Sequence, residues 1–186
     1  MSDRSDNDKE LHPAVLLDRD GTIIDETGYL GDPEGIHFLP GAIEALRILQ
    51  QAGYVLIVVT NQSGIGRGYF SDEDAIAVNL RLSALLDEKG IHIKGIYHCP
   101  HSPDDGCACR KPGIKMTQRA VADFSLDIQR SWVVGDAARD IIMAQRAGAR
   151  SILVVTGRED KGTVPEGTAR AKDLLEAARM IAGEGS

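Results

Sequence analysis

The run Ala14-Val15-Leu16-Leu17-Asp18-Arg19-Asp20-Gly21-Thr22 decides the fold of this chain. Four uninterrupted apolar residues read as a short strand buried on both faces. Two carboxylates and a glycine follow at once, and this ending has two readings. Asp and Gly are common turn formers, so it could be a plain strand-to-loop turn. Alternatively, residues i and i+2 of extended chain lie on one side, with Cα atoms about 6–7 Å apart. Asp18 could then face a phosphorus atom while Asp20 reaches the oxygen that leaves it, since carboxylates can act as nucleophiles in phosphoryl transfer.

Outward from this run, apolar segments at 54–59, 91–97, 131–134 and 151–155 read as further strands, and their near-continuous Val, Ile and Leu content suits a parallel sheet. Between them lie helical patterns. Ala42, Ala45, Leu46 and Leu49 recur at i, i+3, i+4 and i+7, and Val78, Leu82, Leu85 and Leu86 mark a second helix, with Ser71 and Asp74 placed as a capping box. Gly53 and Gly90 sit where C-terminal caps belong. Segments 114–124, 138–147 and 169–181 are further helix candidates, the last with room for a short edge strand before Asp173. Alternating strands and helices predict an open α/β sheet with right-handed crossovers. Residues 1–12 are expected to be a disordered leader and 13–183 a single domain. Residues 26–39 form a Gly- and Pro-containing loop, and no segment is long enough for a separate cap domain.

The bulk numbers fit this picture. The chain has 186 residues, 42% of them hydrophobic and 26% charged, an ordinary globular balance. The net charge of −7 argues against broad binding to nucleic acid or anionic membrane, both of which favour basic surfaces. No apolar run approaches the roughly 20 residues of a membrane span, and the N-terminus lacks a signal-peptide pattern. A cytoplasmic monomer is expected.

In open α/β sheets, ligands bind beyond the C-terminal ends of the strands. Polar residues stand there in Thr60-Asn61-Gln62-Ser63-Gly64, in Arg110-Lys111-Pro112, and in Gly135-Asp136 with Asp140 beyond. Carboxylates, a hydroxyl and two cations at one sheet edge suit a phosphate with Mg²⁺, which prefers carboxylate and phosphate oxygens. Each also has a plainer reading: Thr60 or Asp136 as a helix cap, Lys111 as a solvated charge. Gly64-x-Gly66-x-Gly68 lacks the spacing of a dinucleotide fingerprint and reads as a turn, with or without Arg67 aimed at an anion.

Three cysteines make a poor disulfide framework. Cys99, Cys107 and Cys109 with His101 instead supply a full tetrahedral shell for a structural Zn²⁺, with iron as the other metal such thiolates could take. A redox Cys-x-Cys pair is the competing reading.

Taken in order, D-x-D-G-T at 18–22, Thr60, Lys111 and Gly135-Asp136-x-x-x-Asp140 resemble the haloacid dehalogenase (HAD) superfamily of phosphatases over about residues 14–155. The resemblance implies a Rossmann-like sheet of order 3-2-1-4-5. It implies that Asp18 is the nucleophile and a Mg²⁺ ligand, and that Asp20 is the acid and base, its carbonyl also on Mg²⁺. Thr60 and Lys111 would hold phosphoryl oxygens, and Asp136 would complete the metal site. An acid at position 20 favours phosphomonoester hydrolysis, since a dehalogenase has no leaving alkoxide to protonate. The zinc loop, Gly28-Tyr29 and residues 59–68 sharpen the likeness to the D-glycero-D-manno-heptose 1,7-bisphosphate 7-phosphatase family, within the histidinol-phosphatase subgroup. That family removes the 7-phosphate in nucleotide-heptose biosynthesis, a part of carbohydrate metabolism. Its pattern implies that Arg110 and Lys111 contact the substrate and that Glu26, Thr27, Gly28 and Tyr29, with Thr60, Asn61, Gln62 and Ser63, line the sugar wall. Histidinol phosphate, or another small sugar phosphate, is the alternative substrate.

Overall fold

The computed structural model describes residues 10–156 and 162–184. Among the described residues six strands and six α-helices follow one another: β1 (Ala14–Leu17), α1 (Ala42–Gln51), β2 (Val55–Asn61), α2 (Ser63–Gly66), α3 (Asp72–Asp87), β3 (Ile93–Cys99), α4 (Lys115–Phe124), β4 (Trp132–Gly135), α5 (Ala138–Ala147), β5 (Arg150–Val154), β6 (Ala169–Ala171) and α6 (Leu174–Glu184). Every ladder is parallel and the sheet order is β3-β2-β1-β4-β5-β6. The open α/β sheet is as expected, extended by one strand at the edge.

Strand alternation splits β1 between two cores. Val15 and Leu17 face one layer with Leu46, Leu82 and Ile181; Ala14 and Leu16 face the other with Met116, Val133 and Met143. All four residues of β1 are fully buried. The chain runs from β1 outward through β2 to β3, then returns to β4 on the other flank. Beside β1 the strand order therefore reverses, which opens a crevice at the strand tips.

Local chemistry sets the element ends. Ser71 caps α3 as expected: its Oγ accepts from Asp74 N at 3.1 Å, and Asp74 Oδ2 accepts from Ser71 N at 2.8 Å. The segment at 169–181 is not one helix. Residues 169–171 add to the open edge of β5, with Val154 opposite Ala171, and Asp173 Oδ1 accepts from Glu176 N at 2.8 Å to begin α6. β3 starts two residues later than its apolar run suggests and reaches Cys99, which pairs with Asn61 in register. Of the expected leader, residues 1–9 lie outside the described residues, while His12 N donates to Ser125 O and His12 O accepts from Asp127 N. Among the described residues, no helix is long and apolar enough to cross a membrane.

The glycine-rich stretch after β2 is not a loose turn. It forms the single-turn α2, packed against the cysteine loop, where Gly66 N donates to Pro100 O at 2.8 Å. A Cβ at Gly66 would stand 2.7 Å from Ser102 N and 3.0 Å from Pro100 O, both backbone atoms. Gly66→Ala is expected to push α2 off this loop and cost about 1–3 kcal/mol, as overpacking does; urea unfolding measures it.

Candidate active site

The buried Lys111 ammonium is the hub of the strand tips. Its Nζ lies 2.8 Å from Asp18 Oδ1 and 2.7 Å from Asp140 Oδ1, and donates to Val59 O at 2.7 Å. Its backbone is clamped as well. Asn61 Oδ1 accepts from Lys111 N at 2.9 Å, and Asn61 Nδ2 donates to Lys111 O at 3.2 Å. The Asn61 amide, expected along a sugar wall, is thus engaged in holding the lysine. Asp18 continues the sheet through Asp18 N to Val134 O at 2.9 Å. Asp140 sits in the first turn of α5 and accepts from Ala137 N at 3.2 Å. Gly135 makes room for it, because a Cβ there would meet Asp140 Oδ2 at 2.6 Å.

Asp18, Asp136 and Asp140 are all buried, and each offers a carboxylate oxygen within 4.8 Å of the other two. Burial alone would raise the pKa of Asp18, but the charges of Lys111 and Arg139 outweigh it and hold Asp18 below the usual aspartate range. Burial pushes Asp140 up, and nearby Asp18 adds to that, more than Lys111 takes away. Burial would lower Lys111, yet Asp140 and Asp18 keep it above its ordinary value. Three carboxylates are thus crowded together in the interior. A set of converging buried carboxylates fits a hard divalent cation such as Mg²⁺, which takes oxygen ligands.

Asp20 lies at the mouth of this interior. Both its oxygens are engaged: Arg19 Nε donates to Oδ2 at 3.1 Å and Arg19 Nη2 to Oδ1 at 3.2 Å. Gln62 Nε2 donates to Asp20 Oδ2 and to Thr60 Oγ1, each at 2.9 Å, and Thr60 Oγ1 lies 3.4 Å from the same Asp20 oxygen. The cleft above is lined by Asp18, Asp20, Glu26, Gly28, Tyr29, Thr60, Asn61, Gln62, Ser63, Gly64 and Arg139. Most of the expected site residues therefore meet in one place. Thr27, Arg110 and Lys111 are not among the lining residues. Thr27 is exposed, Arg110 donates to His101 O at 3.3 Å, and Lys111 Nζ lies beneath the cleft against Asp18. Tyr29 stacks edge-on against Tyr69, with ring centroids 4.6 Å apart.

Three participants escape the sequence reading. Arg139 is the one cation among the lining residues; burial would lower its pKa, but Asp18, Asp140, Asp136 and Glu26 hold it above the usual value. Arg19 and Asn79 form the contact behind Asp20, with Arg19 Nη1 donating to Asn79 Oδ1 at 2.8 Å. Asn79 left one signal, a polar residue on the apolar face of α3.

The cysteine loop closes on itself beside the cleft. Cys99 Sγ and Cys109 Sγ are 3.2 Å apart, Cys109 and Cys107 3.5 Å, Cys99 and Cys107 3.6 Å, and His101 Nδ1 lies 3.2 Å from Cys109 and 3.5 Å from Cys99. A Zn–S bond of about 2.3 Å implies S–S edges of about 3.8 Å in a tetrahedron, so these four atoms converge as a zinc shell does and need only spread by a few tenths of an ångström to take the ion. None of the three cysteines is in a disulfide. Burial pushes the Cys99 thiol up, and its contact with Cys109 adds to this; a cation here would reverse that balance.

Residues 108–178 match the HAD-hydrolase-like family model, the class of protein that this fold and cleft define. The chain is 40% identical over 172 residues to the D-glycero-β-D-manno-heptose-1,7-bisphosphate 7-phosphatase of Haemophilus ducreyi, covering 88% of this chain and 93% of that one. It is likewise 40% identical over 177 residues to the enzyme of that name from Vibrio cholerae, covering 91% and 94%. Among solved structures it resembles the D,D-heptose 1,7-bisphosphate phosphatase of B. bronchiseptica complexed with magnesium and phosphate, with a TM-score of 0.85, 35% identity, and coverage of 92% of this chain and 99% of that chain. The chain belongs to the family of the D-glycero-β-D-manno-heptose-1,7-bisphosphate 7-phosphatases.

The lysine triad carries a stability prediction. Lys111→Met leaves two buried carboxylates without their cation, and breaking such a pair typically costs about 3–5 kcal/mol. Both acids then gain by taking up a proton in the folded state. The deficit against the parent is therefore expected to be full at neutral pH and to narrow as pH falls toward the ordinary aspartate value of 3.8. Urea unfolding across pH reads both effects.

Proposed function

We propose that this protein is a Mg²⁺-dependent phosphomonoesterase that removes the 7-phosphate of D-glycero-β-D-manno-heptose 1,7-bisphosphate through a phosphoryl group carried on Asp18. The observation that carries the reading is the convergence of Asp18, Lys111, Asp136 and Asp140 at the tip of the central strand, in a chain of this family. A carboxylate oxygen of Asp18 attacks phosphorus, and the bond from phosphorus to the sugar C7 oxygen breaks. Asp20 gives its proton to that oxygen. Asp20 then takes a proton from a water molecule, whose oxygen attacks the same phosphorus. The Asp18–phosphorus bond breaks and inorganic phosphate departs.

Asp18 and Asp136, with the Asp20 backbone carbonyl, are the proposed Mg²⁺ ligands, and Asp140 stands close enough to join them. Mg²⁺ supplies charge neutralisation where carboxylates and a phosphate gather. Thr60 and Lys111 meet the transferring oxygens, and Arg139 adds a cation on the cleft wall. Glu26, Thr27, Gly28, Tyr29, Asn61, Gln62, Ser63 and Arg110 are assigned to the sugar side. Zn²⁺ in the shell of Cys99, His101, Cys107 and Cys109 is structural, since all four positions are protein ligands. Its place in the sequence, directly before Arg110 and Lys111, fits a brace for the segment that delivers the lysine.

Asp18→Asn is expected to abolish phosphate release and to lower the unfolding midpoint while leaving the protein folded, since the Asn oxygen and Asp140 still receive Lys111 Nζ. Turnover should be fastest on heptose bisphosphate in a panel with fructose bisphosphate and histidinol phosphate, and should vanish with EDTA. Fastest turnover on histidinol phosphate would overturn the substrate assignment. Metal analysis of the purified protein should find one zinc per chain. Cys109→Ser should lose that zinc, lower the thermal midpoint and reduce activity; a zinc-free parent of full stability would sink the structural-metal reading.

A further inference from the structure

Arg19 is fully buried, which is costly for a guanidinium unless every donor is used. Its fork grips both oxygens of Asp20, and its remaining nitrogen donates to Asn79 at 2.8 Å. The other end of the residue is fixed as well. Arg19 O accepts from Thr22 N at 3.4 Å, Ile23 N at 2.9 Å and Ile24 N at 3.1 Å. Asn79 is the polar member of a face of α3 that otherwise buries Ala75, Val78, Leu82 and Leu86. A leucine at 79 would suit that face better, and buried ion pairs are weak contributors to stability. Packing therefore explains neither residue.

We propose that Asn79 and Arg19 form a positioning relay that fixes the Asp20 carboxylate for proton transfer to and from the reacting oxygens. The proposal rests on the reading of Asp20 as acid and base given above. Arg19 stays charged and passes no proton on. The proton leaves Asp20 for the sugar oxygen as the ester bond breaks, and a water proton later replaces it. Asn79 fixes the plane of the guanidinium, and the bidentate fork then fixes the plane of the carboxylate. Small errors in such geometry are expensive in rate, because proton transfer needs hydrogen-bond contact with the departing oxygen.

The test compares Asn79→Leu, Asn79→Asp and Arg19→Lys with Asp20→Asn and the parent, all as full-length protein with Mg²⁺. Each is assayed for kcat/KM on heptose bisphosphate, which has a poor leaving group, and on p-nitrophenyl phosphate, whose leaving group needs no proton. This parameter reports only steps through the first bond cleavage. Thermal midpoints show which variants fold. Asn79→Leu and Arg19→Lys are expected to lose about 10–100-fold on the sugar substrate, part of the 10²–10⁴-fold typical of a general acid, and under about threefold on p-nitrophenyl phosphate. Asn79→Asp keeps the acceptor and should retain most of the sugar activity. Equal losses on both substrates in folded Asn79→Leu, or no loss on either, would overturn the relay. If Asp20→Asn itself shows no such split, the acid assignment fails and the relay falls with it. A split in Asp20→Asn without one at position 79 or 19 rejects the relay alone.

Discussion

The site depends on one buried cation. Lys111 Nζ stands between Asp18 and Asp140 in the interior and also reaches the Val59 carbonyl. Without it, two carboxylates would be buried side by side with only the more distant charge of Arg139 to offset them, and the neutral form of each would gain. Much of the surrounding structure is arranged to keep the ammonium there. Asn61 holds its backbone from both sides, Gly135 leaves room for Asp140, and the cysteine loop fixes the chain just upstream. The same cation favours the ionised form of Asp18, which the nucleophile proposed here requires.

The sheet supplies the frame. β1 is hydrogen-bonded to a neighbour on each side and covered on both faces, so its tip is among the stiffest places in the molecule. Asp18 inherits that stiffness through its own bond to Val134. Asp20, two residues further on, has left the ladder for an isolated bridge to Ile24, and its carboxylate is held by Arg19, Gln62 and Thr60. Two carboxylates close in sequence are thus held by different cations, Asp18 by Lys111 and Asp20 by Arg19.

Much of this was legible in the sequence because it is local. β1 and α5 carry continuous apolar or helical patterns with clear ends, and both fall where the pattern places them. The Ser71–Asp74 box needs only four residues to declare itself. The cysteine spacing likewise anticipates a cluster that the fold assembles. What was not legible is long-range. The three residues of β6 are too few to show a period and become a strand only because β5 offers an open edge. The Gly64–Gly66 stretch reads as a turn until the chain at 100–102 is seen to press against it. Arg19 meets Asn79 across sixty positions of sequence, and Asn61 meets Lys111 across fifty; no window of sequence contains either pair.

The lysine hub has a consequence for how activity arises during folding. Its partners come from the first strand, the second strand and the fifth helix, while the lysine itself sits on a loop between the third strand and the fourth helix. No fragment shorter than residues 18–140 contains them all. On the proposed mechanism a nascent or partly opened molecule therefore lacks a competent nucleophile, and hydrolysis waits until the last of these segments docks. Docking of these four segments and assembly of the proposed ester-cleaving centre become the same event, so a copy in which they have come apart falls silent instead of attacking phosphate esters at random.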